Sequence, residues 1–229
     1  MQIPSKTVYQ VLADNGITEI HHANSVLTAC QFLRAGALLS RGSVERAGMF
    51  QTMQSSDVID KKWSVWFDVF TDSVDIHNRA RRENVYGPAL FVLDSAIIKE
   101  AYTGGVWVTK QNPTKWDGTK HEERWFTSAK DLRKNFVKGR FDQMVVFRHS
   151  GGELPFDDYL KEIVLDDPEV KSRGQLDLHS MAKGALLLAR TEGGKNVKIR
   201  KRKCRGGCNC VANYKADKNR VLEMFLPIT

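Results

Sequence analysis

The chain has 229 residues, enough to bury one good-sized core, and length alone admits one domain or two small ones. Hydrophobic residues at 41%, aromatics at 9% and charged residues at 27% exclude a disordered chain. A net charge of +8 and a pI near 9.3 favour a polyanionic partner, nucleic acid before an acidic protein or a membrane surface. No apolar run approaches the ~20 residues that span a bilayer, and the first residues lack the apolar stretch of a secretory signal, so the expected location is cytoplasmic, with no membrane contact.

In chain order, residues 5–15 read as a short helix capped by Ser5, with Val8, Val11 and Leu12 on one face. Ile17, Ile20 and the pair His21-His22 read as the end of a strand. Asn24 or Ser25 then caps a helix whose apolar residues Val26, Leu27, Ala29, Cys30, Leu33 and Leu38 recur at roughly helical spacing, and Gly36 is its natural stop. Strand, helix and turn thereby bring a histidine and an arginine, Arg41, near each other. One core histidine and one solvated arginine are the plain alternative.

The pattern of histidine, one or two residues, asparagine, a helix and then Gly-x-Leu-Leu-Ser-Arg-Gly resembles the opening of the DarT-like ADP-ribosyltransferases, which modify nucleic-acid bases using NAD. The resemblance implies that His21 sits on the first strand of the NAD fold and binds the nicotinamide-side ribose, with His22 its neighbour, that Asn24 belongs to the same NAD-binding stretch, and that Arg41 contacts the dinucleotide and serves catalysis. Where the family usually has threonine two residues after the histidine, this chain has Ala23. The resemblance covers roughly the first two-thirds of the chain.

Residues 49–62 are polar and turn-like, long enough for an ordered functional loop. Residues 63–70 form a dense aromatic and β-branched run, and residues 86–93 read as a buried strand begun by Gly87-Pro88. Between them lies a basic segment with His77, Arg79, Arg81, Arg82, Asn84 and Tyr86. Such a segment at the mouth of a sheet can hold a pyrophosphate or a nucleic-acid backbone, although three arginines in four residues are more often simply solvated. The resemblance implies that this segment joins the NAD and substrate cleft, which assigns His77, Arg79 and Tyr86 to NAD and Arg81 and Arg82 to phosphate or solvent.

Gly, Asn-Pro and Asp-Gly signals in residues 97–127 suit hairpins; residues 144–148 are a clear strand, and residues 159–164 a further short element. Residues 176–190 make the best helix, with Leu176, Leu178, Met181, Ala182, Ala185, Leu186 and Ala189 as the buried stripe. Short strands between terminal helices, without regular βαβ alternation, predict an α+β fold. The resemblance makes it ADP-ribosyltransferase-like: a split pair of small, mainly antiparallel sheets with flanking helices, clasping NAD. The transferase unit is expected at residues 1–170, and a helix plus a basic, cysteine-containing extension packed on it at residues 171–229.

ADP-ribosyl transfer passes through an oxocarbenium-like ribose, so the site needs an anion beside it. In the resembled family this is a glutamate at the start of a late strand, and the matching position in FDQMVVFRH is Gln143. Glutamine keeps a hydrogen bond but loses the charge. Either a deliberate Glu→Gln exchange has disabled a toxic enzyme, which is the favoured explanation, or Asp142 or Glu153 takes the role, or the chain is an inactive relative.

Seven Lys or Arg fall between Lys195 and Arg205, followed by Cys204, Cys208, Cys210 and Tyr214. Lys201, Arg202 and Lys203 suit phosphates and Tyr214 a stacked base, with a solvated tail as the alternative. Three of the four cysteines crowd into CRGGCNC, which is no disulfide framework. They are weak candidates for zinc, because C-x3-C-x-C lacks the usual spacing and a fourth ligand, His179 or His149, must come from elsewhere; buried reduced cysteines are the plain alternative. The expected function is a cytoplasmic NAD-dependent transferase acting on DNA or RNA as a toxin of a toxin–antitoxin or anti-phage system, with a cognate antitoxin and a chaperone as further partners. The rivals are a catalytically inert nucleic-acid-binding module and a transferase with a protein acceptor.

Overall fold

The computed structural model describes residues 1–100, 102, 105–172 and 174–227. In chain order the elements are β1 (Ile3–Pro4), α1 (Ser5–Asp14), β2 (Glu19–Asn24), α2 (Val26–Ala35), β3 (Ala37–Leu39), α3 (Arg41–Arg46), α4 (Asp57–Lys62), β4 (Val69–Asp72), α5 (Ile76–Ala80), β5 (Ala89–Asp94), α6 (Ile97–Glu100), β6 (Gly105–Val108), α7 (His121–Arg124), α8 (Ala129–Asn135), β7 (Met144–Phe147), β8 (Glu153–Pro155), β9 (Leu160–Leu165), α9 (Leu178–Glu192), β10 (Lys198–Lys201), α10 (Cys210–Ala216) and α11 (Lys218–Phe225). This is the expected α+β class. Among the described residues no helix is long and apolar enough to cross a membrane.

The expected pair of small sheets takes a different form: an eight-stranded sheet in the order β1-β6-β7-β4-β2-β5-β9-β10, and a separate β3-β8 ribbon. All pairings are antiparallel except β9 with β10. The large sheet has a narrow waist. β2 pairs with β5 along its whole length, from Glu19 opposite Asp94 to Asn24 opposite Ala89, whereas β2 and β4 share one residue pair, His21 opposite Asp72. Four strands on each side are therefore stitched by almost no ladder, and the chain can open a cleft between them without breaking a continuous run of backbone hydrogen bonds.

Local chemistry explains the elements around this waist. Ser25 caps α2 by accepting the Thr28 N–H, and Gly36 ends it in the left-handed conformation at φ 68°. The buried face of α2 places Phe32 against Phe91 of β5 at 5.7 Å between ring centroids, and Phe91 stacks in turn on Phe156 at 5.5 Å. Such ring pairs add about 0.5–1.5 kcal/mol each beyond the area they bury. Gly87 precedes β5 because a Cβ there would lie 2.0 Å from the Asn24 carbonyl carbon, so only glycine lets the two segments touch.

Several expectations shift. Pro4, not Ser5, occupies the α1 cap position, and the Ser5 hydroxyl donates to the Tyr102 carbonyl. The described part of residues 97–127 forms no hairpin: β6 pairs with β1 and β7, and Thr109 bridges to Trp125; residues 101, 103 and 104 lie outside the described set. Leu176 is exposed, while Leu178, Ala182, Leu186 and Ala189 carry the buried stripe of α9. The expected boundary near residue 170 does not divide the core, because β10 extends the large sheet and Leu178, Leu186, Ile199, Tyr214 and Phe225 belong to the same apolar cluster as Ile20 and Phe91.

Candidate functional site

At the waist lies a cleft with about 100 Å³ of enclosed space, opening to about 780 Å³ when the solvent at its mouth is counted. β2 contributes His22, Ala23 and Asn24, β4 Phe70 and Asp72, and β7 Met144; Arg41, Tyr86 and Asn112 come from the flanking segments. The two adjacent histidines of β2 line different cavities. His22 lines the cleft and His21 lines a separate groove, so the place in the cleft expected for His21 is taken by His22.

The His22 ring is positioned to accept. Its Nδ1 lies 2.8 Å from the Phe70 carbonyl, which can only accept, so Nδ1 carries the hydrogen and Nε2 presents a lone pair. Nε2 is buried without a hydrogen-bond partner among the described residues. Burial pushes the ring's pKa below its ordinary value, against the pull of the Phe70 hydrogen bond, which keeps it neutral.

Arg41 stands where the opening motif puts it, at the first position of α3, whose cap Ser40 accepts the Ser43 N–H. Its guanidinium is clamped: Nε and Nη2 donate to the two Asp57 oxygens at 2.9 and 2.5 Å, and Nη1 donates to the Thr52 carbonyl at 2.9 Å. The loop of residues 49–62 is thereby fastened along the cleft. Thr52 Oγ1 donates to Ser25 Oγ at 2.7 Å, and Gln54 Nε2 reaches Asn24 Oδ1 at 3.4 Å. That loop is ordered as expected, ending in α4, and Asn24 is buried beneath it.

Three carboxylates face the cleft. Burial pushes Asp72 up to about 7, with Asp75 adding to the shift. Burial pushes Asp60 up to about 6, Ser56 pulling back and Asp57 pushing further. Asp68 also rises to about 7 by burial although Arg148 Nε lies 2.8 Å from its Oδ2; the two atoms are not aligned as a hydrogen bond, so the ion pair recovers too little. Sequence reasoning missed all three, because isolated aspartates in turns and strand ends carry no signal until the sheet closes around them. Perturbed carboxylates gathered in a cleft are a mark of functional sites.

Gln143 lies outside the cleft wall. Its Oε1 accepts the Val137 N–H at 2.7 Å and its Nε2 donates to the Asn135 carbonyl at 3.1 Å, so both ends of the amide hold the turn before β7 while the next residue, Met144, faces the cleft. The expected catalytic-acid position is thus a structural amide. Gln143→Glu is expected to lower stability by about 1–3 kcal/mol, because a carboxylate cannot donate to the Asn135 carbonyl; urea unfolding of the two proteins measures it, and an unchanged midpoint would be the contrary result. Glu153 is exposed on β8, and the Asp142 carboxylate is held by Lys115 at 2.8 Å.

The tail is corrected most. Arg202 is buried, pairing with Asp166 Oδ1 and, at 2.5 Å, with Asp75 Oδ2, and Tyr214 is buried with its hydroxyl donating to Asp166 Oδ2 at 2.7 Å. Neither can meet a nucleic acid. Lys201 is largely exposed and paired with Asp167, and Lys203 is exposed. His77 is also buried away from the cleft: Nδ1 donates to Asp166 Oδ2 at 2.8 Å, and Nε2 faces Cys204 and Cys208 at 3.6 and 3.4 Å. The fourth partner of the cysteines is therefore His77 rather than His179, which hydrogen-bonds the Asp166 carbonyl, or exposed His149. Arg79 and Arg81 line the groove beside His21, with Asp75, Lys138 and Arg205, and Arg82 is exposed.

No family model matches the chain, and no curated protein matches it.

Proposed function

We propose that the protein is an NAD-dependent ADP-ribosyltransferase acting on a nucleic-acid base, with the dinucleotide held in the cleft at the sheet waist. One observation supports this: Asn24, Arg41 and Tyr86, singled out from three separate stretches of sequence, converge on one cleft together with His22, the neighbour of the histidine expected there. In this assignment the neutral His22 Nε2 accepts a ribose hydroxyl, and the remaining N–H groups of the clamped Arg41 face the dinucleotide. The anion beside the ribose is Asp72, which makes no side-chain hydrogen bond among the described residues and stands in the role that Gln143 cannot fill. As positive charge develops on the ribose, it draws Asp72 into its ionised form. The groove lined by His21, Arg79, Arg81, Lys138 and Arg205 is the natural seat for acceptor phosphates.

Mass spectrometry of DNA and RNA oligonucleotides incubated with NAD and the protein tests the transfer, and the expected result is an ADP-ribose mass gain on one of them. His22→Ala is expected to weaken NAD binding about tenfold, the worth of one good hydrogen bond. His21→Ala is expected to leave NAD affinity unchanged. Loss of NAD binding in the His21 variant alone would return the dinucleotide to the other face of β2. Absence of both transfer and NAD binding, with oligonucleotides still bound, favours the inert nucleic-acid-binding module.

A further inference from the structure

Four soft donors meet at a place the cleft does not use. The Cys204 and Cys210 sulfurs are 3.4 Å apart, His77 Nε2 is 3.4 Å from Cys208 Sγ and 3.6 Å from Cys204 Sγ, and all four donor atoms lie within 4.8 Å of one another. A tetrahedral zinc ion, with Zn–S near 2.3 Å and Zn–N near 2.0 Å, has S···S edges of about 3.8 Å and S···N edges of about 3.5 Å. The cluster needs only small adjustments to become that tetrahedron.

The surroundings supply what a ligand histidine requires. Asp166 takes the Nδ1 hydrogen, so the Nε2 lone pair is aimed at the sulfurs, the arrangement in which a carboxylate orients a zinc-bound imidazole. Asp166 is itself fixed by Tyr214 and Arg202. The cysteines are presented by a tight turn: the Cys208 N–H reaches the Arg205 carbonyl at 3.2 Å, and the Asn209 N–H donates to the Arg81 carbonyl at 2.8 Å, tying the turn to the end of α5. Three thiolates and one imidazole favour zinc over the hard oxygen-seeking cations, and four protein ligands leave no open position for chemistry.

We propose that His77, Cys204, Cys208 and Cys210 form a structural zinc site that clamps the β10–α10 connection onto α5. Two of the ligands have basic neighbours in the groove: Arg79 and Arg81 follow His77 within four residues, and Arg205 follows Cys204. The ion would therefore fix the wall of that groove, whatever the cleft does.

The test uses the full chain purified without chelator. Elemental analysis should find about one zinc per chain, and the chelated protein should take up Co²⁺ with the intense thiolate-to-cobalt absorption and visible bands of a tetrahedral centre. Cys204→Ser, at an exposed position with little packing to lose, should reduce the bound metal at least about tenfold, while Cys30→Ala retains it. Chelation of the unaltered protein should lower Tm by about 10 °C. Should the Cys204 variant fail to fold, the cobalt spectrum of the unaltered chain decides. Less than about a tenth of an equivalent of zinc together with no cobalt spectrum would overturn the site, as would a Cys204–Cys210 disulfide in protein that holds no metal.

Discussion

Arg202→Met is expected to cost about 3–5 kcal/mol of folding stability, although its neighbours Lys201 and Lys203 in the same basic run should each be replaceable at under about 1 kcal/mol. The difference is burial. Arg202 holds two carboxylates at once, and Asp166 is almost wholly sequestered, so removing the guanidinium leaves a buried charge without its partner. Lys201 pairs with Asp167 from a largely solvated position, where Coulomb attraction is screened and side-chain entropy offsets much of the gain. Against a typical total of about 5–15 kcal/mol, the Arg202 loss is large enough to leave a substantial unfolded fraction. Urea unfolding of the three single variants measures the contrast, and an Arg202→Met midpoint within error of the parent would refute it. Neutralising all three residues together would therefore confuse loss of nucleic-acid binding with loss of fold, and salt dependence should be examined with Lys201 and Lys203 alone.

How much of this was legible in sequence follows from the range over which each feature is decided. The α2 cap at Ser25 and its stop at Gly36 are local, since the groups that satisfy the helix ends lie within a few residues, and they were readable. The convergence of Asn24, Arg41 and Tyr86 was readable through the motif. Which histidine enters the cleft was not, because the phase of β2 is set by its pairing with β5 and β4, and a shift of one residue exchanges His21 for His22. The tail shows the same limit more severely. His77 and Cys204 lie 127 positions apart, and nothing in either stretch announces the other until β10 joins β9 and carries the cysteines across α5. Arg202 looks like any member of a charge run because the two aspartates that bury it come from residues 75 and 166. Gln143 misleads for a different reason: its position before β7 fits the motif, but its amide is spent on two backbone groups of the preceding turn.

Under the proposed transferase function, Asp72→Asn should separate catalysis from stability within the cleft, lowering transfer by about 10²–10³-fold while making the protein more stable above neutral pH. The stability sign follows from the direction of the shift. Burial raises the folded-state pKa to about 7 from the ordinary carboxylate value of 3.8, so the folded protein keeps this proton over a range where the unfolded chain has lost it. Ionisation of Asp72 therefore opposes folding increasingly as pH rises from about 4 to about 7, and the full penalty is present above that window. Partial solvent exposure screens the effect, which leaves on the order of 1–2 kcal/mol to be regained by the neutral amide at pH 8. Near pH 4 carboxylic acid and amide are both uncharged, and the gain should vanish. Chemical unfolding of both proteins at pH 4 and pH 8, beside single-turnover transfer from NAD, reads the two effects independently. A variant that gains stability at pH 8 and keeps full transfer activity would remove Asp72 from the reaction while leaving its burial intact, and Asp60 would become the anion to test. A variant that gains nothing at either pH would mean that the carboxylate is better solvated than its place beside His22 and Met144 implies.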